Sequence, residues 1–130
     1  MKSLLAAIAI AISFPAFADA DCTRPDPAGD VPDGSTATRN EMLDAKDRVQ
    51  QFVQRGEMYL DCMSKQIEEA RAEVQSAVAS SEESEMSDKV AAVRERYRDL
   101  VKDHDKVVSE MQQLADDFNT ALSDFSASDD

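Results

Sequence analysis

The sequence predicts an all-α fold: a long antiparallel helical hairpin, coiled-coil-like, preceded by an extended Pro-rich N-terminal arm. Three observations predict it. Apolar residues recur at alternating steps of three and four along two separate stretches, the spacing of one buried helix face. Helix-breaking residues are confined to the first part of the chain, the last Pro being Pro32 and the last Gly being Gly56. A short polar break, Ser80-Ser81-Glu82-Glu83-Ser84-Glu85, separates the two stretches into arms of nearly equal length, roughly 60 Å each at 1.5 Å per residue. The competing architecture is one continuous helix feeding an intermolecular coiled coil.

The chain opens with the marks of a cleavable export signal over residues 1–18. Lys2 supplies the positive start, Leu4 to Phe14 an apolar run, and Pro15 ends it before Ala16-Phe17-Ala18, small residues at the two positions a signal peptidase reads. The run is too short for the ~20 residues that cross a hydrocarbon core, so a retained anchor is not expected. A second small-x-small site, Ala18-Asp19-Ala20, allows a cut after residue 20. Asp19-Ala20-Asp21 before Cys22 lacks the Leu and small residues of a lipidation site. The expected location is the periplasm, or the medium if secretion is complete.

Residues 19–37 form the arm, with Pro25, Pro27 and Pro32 and turn signals at Ala28-Gly29-Asp30 and Pro32-Asp33-Gly34. Thr38-Arg39-Asn40-Glu41 then reads as a capping box, so a helix is expected to start near Arg39. Its stripe runs Met42, Ala45, Val49, Phe52, Gly56, Tyr59, Met63, Ile67, Ala70, Val74, Ala77. Gly56, inside the stripe, would let another backbone approach closely. The second stripe runs Met86, Val90, Val93, Tyr97, Leu100, His104, Val107, Met111, Leu114, Phe118, Ala121, Phe125 with heptad alternation. The hairpin is expected over 38–126, with its turn near 80–85 and an acidic tail at 127–130. With the turn centred near Ser81–Glu83, Phe52 would face Met111, Tyr59 would lie near His104, and Ala45 near Phe118. Val101, Val108, Ala115 and Leu122 widen the second stripe beyond a two-helix seam. The arm could supply the extra neighbour, or a second hairpin could dock to make a four-helix bundle.

Two cysteines in an exported chain are expected to pair. Cys62 lies roughly 37 Å into the first helix, and the arm from Cys22 to Ala37 spans roughly 46 Å as polyproline. The arm can therefore run back along the helix and be stapled there. Free thiols and an intermolecular bond are the alternatives.

Charge narrows the function classes. The chain carries 27 Asp plus Glu against 14 Lys plus Arg, a formal net charge of −13, so phosphate backbones and anionic lipid surfaces are repelled and no nucleic-acid partner is expected. His104 is the only histidine. No Glu stands three residues before it, which removes the helical-bundle metal motif. It reads as a seam residue hydrogen-bonded to Tyr59. The acid pairs Glu68-Glu69, Glu82-Glu83 and Asp116-Asp117 would act as acid and base only in a pocket, which two long helices do not suggest. Asp44 with Arg48 and Asp61 with Lys65 have the spacing of exposed ion pairs. Arg94, Arg98 and Lys102 form a basic stripe that Glu95 and Asp99 compensate locally. No catalytic, cofactor or metal site emerges, and an enzyme is not expected.

Cys22, Pro32-Asp33-Gly34, Ala37-Thr38 with Glu41-Met42, Tyr59-Leu60-Asp61-Cys62, and Met111 followed by Ala115-Asp116-Asp117-Phe118-Asn119 come in an order that resembles a group of small secreted bacterial envelope proteins. The resemblance implies a signal peptide, a Pro-rich arm, a helical remainder and an envelope location, and carries over no activity. The expected function is that of a structural or protein-interaction module, binding another protein or itself through a stripe of Phe52, Tyr59, Met63, Tyr97, His104, Met111 and Phe118. The alternative is a small periplasmic chaperone or envelope-stress protein that holds unfolded clients on adaptable methionines.

Overall fold

A computed structural model of the chain describes residues 22–79 and 86–128. The export signal and its cleavage site, the polar turn at 80–85 and Asp129–Asp130 lie outside the described residues. Two helices, α1 (Arg39–Ala79) and α2 (Met86–Ser128), pack against each other, and among the described residues there is no strand. Glu73 pairs with Arg96, Gly56 lies under Met111, and Gly34, just before α1, lies against Ala121. Positions that rise along α1 meet positions that fall along α2. The helices are therefore antiparallel within one chain, which is the hairpin and not the continuous helix.

α1 starts where its capping box places it. The Thr38 amide donates to Glu41 Oε2 at 2.7 Å and the Glu41 amide donates to Thr38 Oγ1 at 3.3 Å, satisfying two of the donors that a helix start leaves open. The Thr38 amide and the Thr38 hydroxyl, which also donates to Glu41 Oε2 at 2.8 Å, favour the ionised carboxyl and hold Glu41 below its ordinary value. At the other end α2 runs through Ser128, two residues into the segment expected as an acidic tail. The hydroxyls of Ser126 and Ser128 donate to the carbonyls of Leu122 and Phe125, giving acceptors of the last turns a partner.

The buried positions of α1 are Met42, Ala45, Val49, Phe52, Gly56, Tyr59, Met63 and Ala70, all members of the three-and-four stripe. Seven of these eight lie between 42 and 63, alongside residues 22–37. From Ile67 to Ala77 the stripe is only half-buried, Ala70 excepted. The core therefore occupies the base half of the hairpin, where a third layer is present. In the tip half, among the described residues, only the two helices meet.

Two details of the packing depart from the sequence-based picture. Met111 reaches Gly56, one turn beyond the Phe52 expected opposite it: a Cβ built on Gly56 would stand 2.5 Å from Met111 Sδ. Side chains on a helix lean toward its N-terminus. On α2 that direction points to the hairpin tip, so Met111 covers an α1 residue of higher number than the one level with its Cα. The space above Gly56 is accordingly filled by a side chain and not by another backbone. The close backbone approach occurs at Gly34, where a Cβ would collide with the carbonyl of Ala121 and lie 2.9 Å from the Phe125 amide nitrogen.

These two glycines should respond differently to alanine. A methionine thioether can swing aside, whereas α2's backbone at Ala121 cannot move without shifting the helix. Gly34→Ala is expected to lower stability by about 1–3 kcal/mol, and Gly56→Ala to change it little, because the helix gain of alanine over glycine offsets some displacement of Met111. Urea titration of both variants checks the order; equal losses would mean that Ala121 accommodates the methyl.

Candidate functional site

The most elaborated part of the molecule is the groove between α1 and α2 in the base half, with residues 22–34 laid over it. Cys22 is bonded to Cys62 of α1, with Cα atoms 5.6 Å apart and 40 residues of sequence between them. The pairing is intramolecular, and no free cysteine remains. Arg24 then crosses to α2, its Nη2 lying 2.8 Å from both carboxylate oxygens of Glu110. The Glu110 carboxylate favours the charged guanidinium and raises its already high pKa. Pro25 is buried. Arg48 on α1 donates to the carbonyls of Ala28 at 3.0 Å and Asp30 at 3.2 Å, with Gly29 between them at a φ of 78° that suits glycine. Asp33 closes the segment: its side chain accepts from the Ser35 amide and hydroxyl, and its carbonyl accepts from the amides of Thr36 and Ala37. The Ser35 bonds hold the Asp33 carboxyl below its ordinary value.

Beneath this segment Tyr59, Met63 and Val107 form a buried cluster, joined by Cys22, Leu60, Leu100 and Met111. Alongside it runs an open cavity of about 660 Å³ lined by residues 24–30, Phe52, Glu110 and Leu114. A second concavity, about 370 Å³, is lined by both cysteines, Arg24, Arg55, Met58 and Tyr59.

Burial redistributes the roles expected of the seven stripe residues. Phe52, Tyr59 and Met63 are 5%, 6% and 3% exposed. Packed within their own chain, they present no face to another molecule. Tyr97, His104, Met111 and Phe118 on α2 are half-buried. His104 does not make its polar contact with Tyr59: Nδ1 lies 3.3 Å from Asp105 Oδ1, the carboxylate next to it in sequence. Half-exposed at the groove margin, the ring reaches a flexible neighbour that helical spacing alone had set apart. Of the two expected i,i+4 ion pairs, Lys65 and Asp61 meet at 2.8 Å. Arg48 is turned toward the Ala28 and Asp30 carbonyls instead.

Burial pushes the Tyr59 hydroxyl up from its ordinary value, with the negative field of Asp103 adding to it and Arg24 opposing. Its folded pKa thus exceeds the unfolded one. The stabilisation this provides is complete below the unfolded value of about 10 and disappears as pH rises through the folded value. Melting temperature measured across the alkaline range is expected to fall more steeply for the native sequence than for Tyr59→Phe, which has no proton to lose. Parallel curves would place the alkaline loss elsewhere.

The tip half offers a different surface. An open groove of about 680 Å³ is lined by Ala72, Ala77 and Val93 together with Glu69, Glu73 and Lys89. Val74, Val90 and Tyr97 nearby are half-buried. Among the described residues no group of three or more His, Cys, Asp or Glu is placed to hold a metal ion, and no helix is long and apolar enough to cross a membrane. No protein-family model matches the chain, no curated protein matches its sequence, and no solved structure matches its fold.

The sequence reading missed Arg24, Glu110, Arg48 and Gly34 as the residues that seat the N-terminal segment. Arg24 and Glu110 are 86 positions apart, and no local spacing signals a contact of that range. Gly34 carried a signal only as a turn residue, not as a packing one.

Proposed function

We propose that the chain is an exported protein of the cell envelope, in the periplasm or released from it, that acts as a structural or protein-interaction module without catalysis of its own. One observation carries the interaction reading: the apolar stripe of α1 is covered in the base half and, Ala70 excepted, left half-open in the tip half. Val90, Val93 and Tyr97 stay half-buried because, among the described residues, only α1 packs against them, and the open groove beside them is lined by Ala72, Ala77 and Val93. The occupant is another protein or a second copy of the hairpin. Export is supported by the N-terminal sequence and by the disulfide, a bond that persists in oxidising compartments. The order of motifs, which resembles that of small secreted bacterial envelope proteins, is consistent with this reading.

A photo-crosslinking residue at Ala72 or Val93, introduced singly into the exported protein in cells, tests the reading. Discrete crosslinked species are expected from these positions and not from Val107, which is fully buried. Silence at both tip positions would remove the proposal. The chaperone reading has less behind it, because Leu43, Met58, Val78 and Leu122 are the large apolar side chains left exposed among the described residues, and single ones are ordinary on any surface. Suppression of light scattering by an aggregating client at a matched ratio would restore it.

A further inference from the structure

The N-terminal segment is held to the hairpin in an uneven way. Residues 22–32 have no helix or strand of their own. Their attachments include the Cys22–Cys62 bond, the Arg24–Glu110 pair, the two bonds from Arg48 and the burial of Pro25. The ion pair is well exposed, about two-fifths at each side chain, and such pairs contribute little against salt and side-chain entropy. Fixing an extended, turn-rich stretch costs backbone freedom at every residue. One strong attachment therefore stands at the far end of the segment. The near end is anchored independently, by the Asp33 turn and the seat of Gly34 on Ala121.

What the segment covers is the buried part of the stripe. Cys22 packs on the Tyr59–Met63–Val107 cluster, and residues 24–30 share the groove with Phe52 and Leu114. The bond itself borders an open concavity whose rim carries Arg24 and Arg55, and both cysteines are only half-buried. A thiolate can approach there, and cationic side chains favour it.

We propose that residues 22–32 are a strap closed by the Cys22–Cys62 bond, and that reduction by a dithiol releases the strap and uncovers the stripe while the hairpin stays folded. One thiolate of the dithiol attacks a sulfur of the bond, forming a mixed disulfide and releasing the other cysteine, which takes up a proton. The second thiol of the dithiol then displaces the remaining cysteine and closes the reductant's own disulfide. Two electrons pass from the dithiol to the protein, and two cysteine thiols result. The proposal depends on the interaction reading only for what the uncovered stripe would bind.

The test compares oxidised protein with protein held in excess dithiothreitol. Helix content is read by far-ultraviolet circular dichroism, apolar exposure by the fluorescence of anilinonaphthalene sulfonate, and the strap by cleavage after Asp30 with a protease that cuts at acidic residues. Reduction is expected to raise dye fluorescence severalfold and cleavage after Asp30 about tenfold or more, with helix content unchanged and both effects reversed on reoxidation. The double variant Cys22→Ser, Cys62→Ser should match the reduced state without reductant. Unchanged dye binding and cleavage would show that the strap stays docked and overturn the proposal. Loss of helix on reduction would overturn it too, because the bond would then hold the fold and not the strap. A strap that opens in a protein whose tip captures no partner would defeat the function proposed above and leave this inference standing.

Discussion

Met63→Ala is expected to lower the unfolding free energy by about 2–5 kcal/mol, the range for emptying a packed methionine site. Met63 is 3% exposed and lies in the cluster with Tyr59 and with Val107, whose side chain is completely enclosed. The site is walled by two helices and by Cys22 from the third layer, and the disulfide limits how far that layer can settle into the space. A loss near the upper end therefore corresponds to a cavity that does not collapse. Met58 provides the control. It is the same residue type, five positions earlier on α1, and 69% exposed. Met58→Ala removes the same atoms and makes the same helix substitution, so its effect should stay within about 0.5 kcal/mol. Urea or thermal unfolding of the two variants separates burial from helix propensity, and similar losses would contradict the placement of the core. Total stabilities of small domains run at about 5–15 kcal/mol, so Met63→Ala removes a large share of the whole.

Why the core is where it is was legible only in part. The face of each helix could be read from sequence because burial imposes a period on residue types: Met42, Ala45, Val49, Phe52, Tyr59 and Met63 repeat at three and four, and all are buried. The start of α1 could be read because a capping box is a local device, Thr38 and Glu41 satisfying each other without help from the rest of the chain. Axial detail could not. Heptad alternation says which side of α2 faces α1 but tolerates a slide of a turn, and the lean of Met111 toward Gly56 lies within that slide. The seat of the N-terminal segment was legible as a possibility of reach, since the segment is long enough to return to Cys62. Its particular contacts were not, because Arg24 finds Glu110 and Arg48 finds two carbonyls through proximity that only the folded chain creates. The candidate site suffers most from this. Phe52, Tyr59 and Met63 are apolar stripe residues whether a partner or the chain's own segment covers them, and the periodicity is the same in both cases.

Cutting the Cys22–Cys62 bond is expected to have the second large effect, and its size reports on the state of the strap. The loop it closes spans 40 residues, for which chain entropy alone gives a stabilisation of about 4 kcal/mol. That figure assumes a native state identical with and without the bond. If residues 22–32 come away on reduction, the folded protein recovers chain freedom as well, and the measured loss falls short of about 4 kcal/mol. A cycle built on Arg24 distinguishes the two cases. In the oxidised protein Arg24→Ala removes the contact of Nη2 with both Glu110 carboxylate oxygens, an exposed pair worth up to about 1 kcal/mol. In the Cys22→Ser, Cys62→Ser background the same substitution should cost nothing, because Arg24 is no longer held at Glu110. The difference between the two effects is the coupling between staple and ion pair. Equal costs in both backgrounds, together with a full loss of about 4 kcal/mol for the double serine variant, would mean that the segment docks by itself. The staple would then only restrict the unfolded chain.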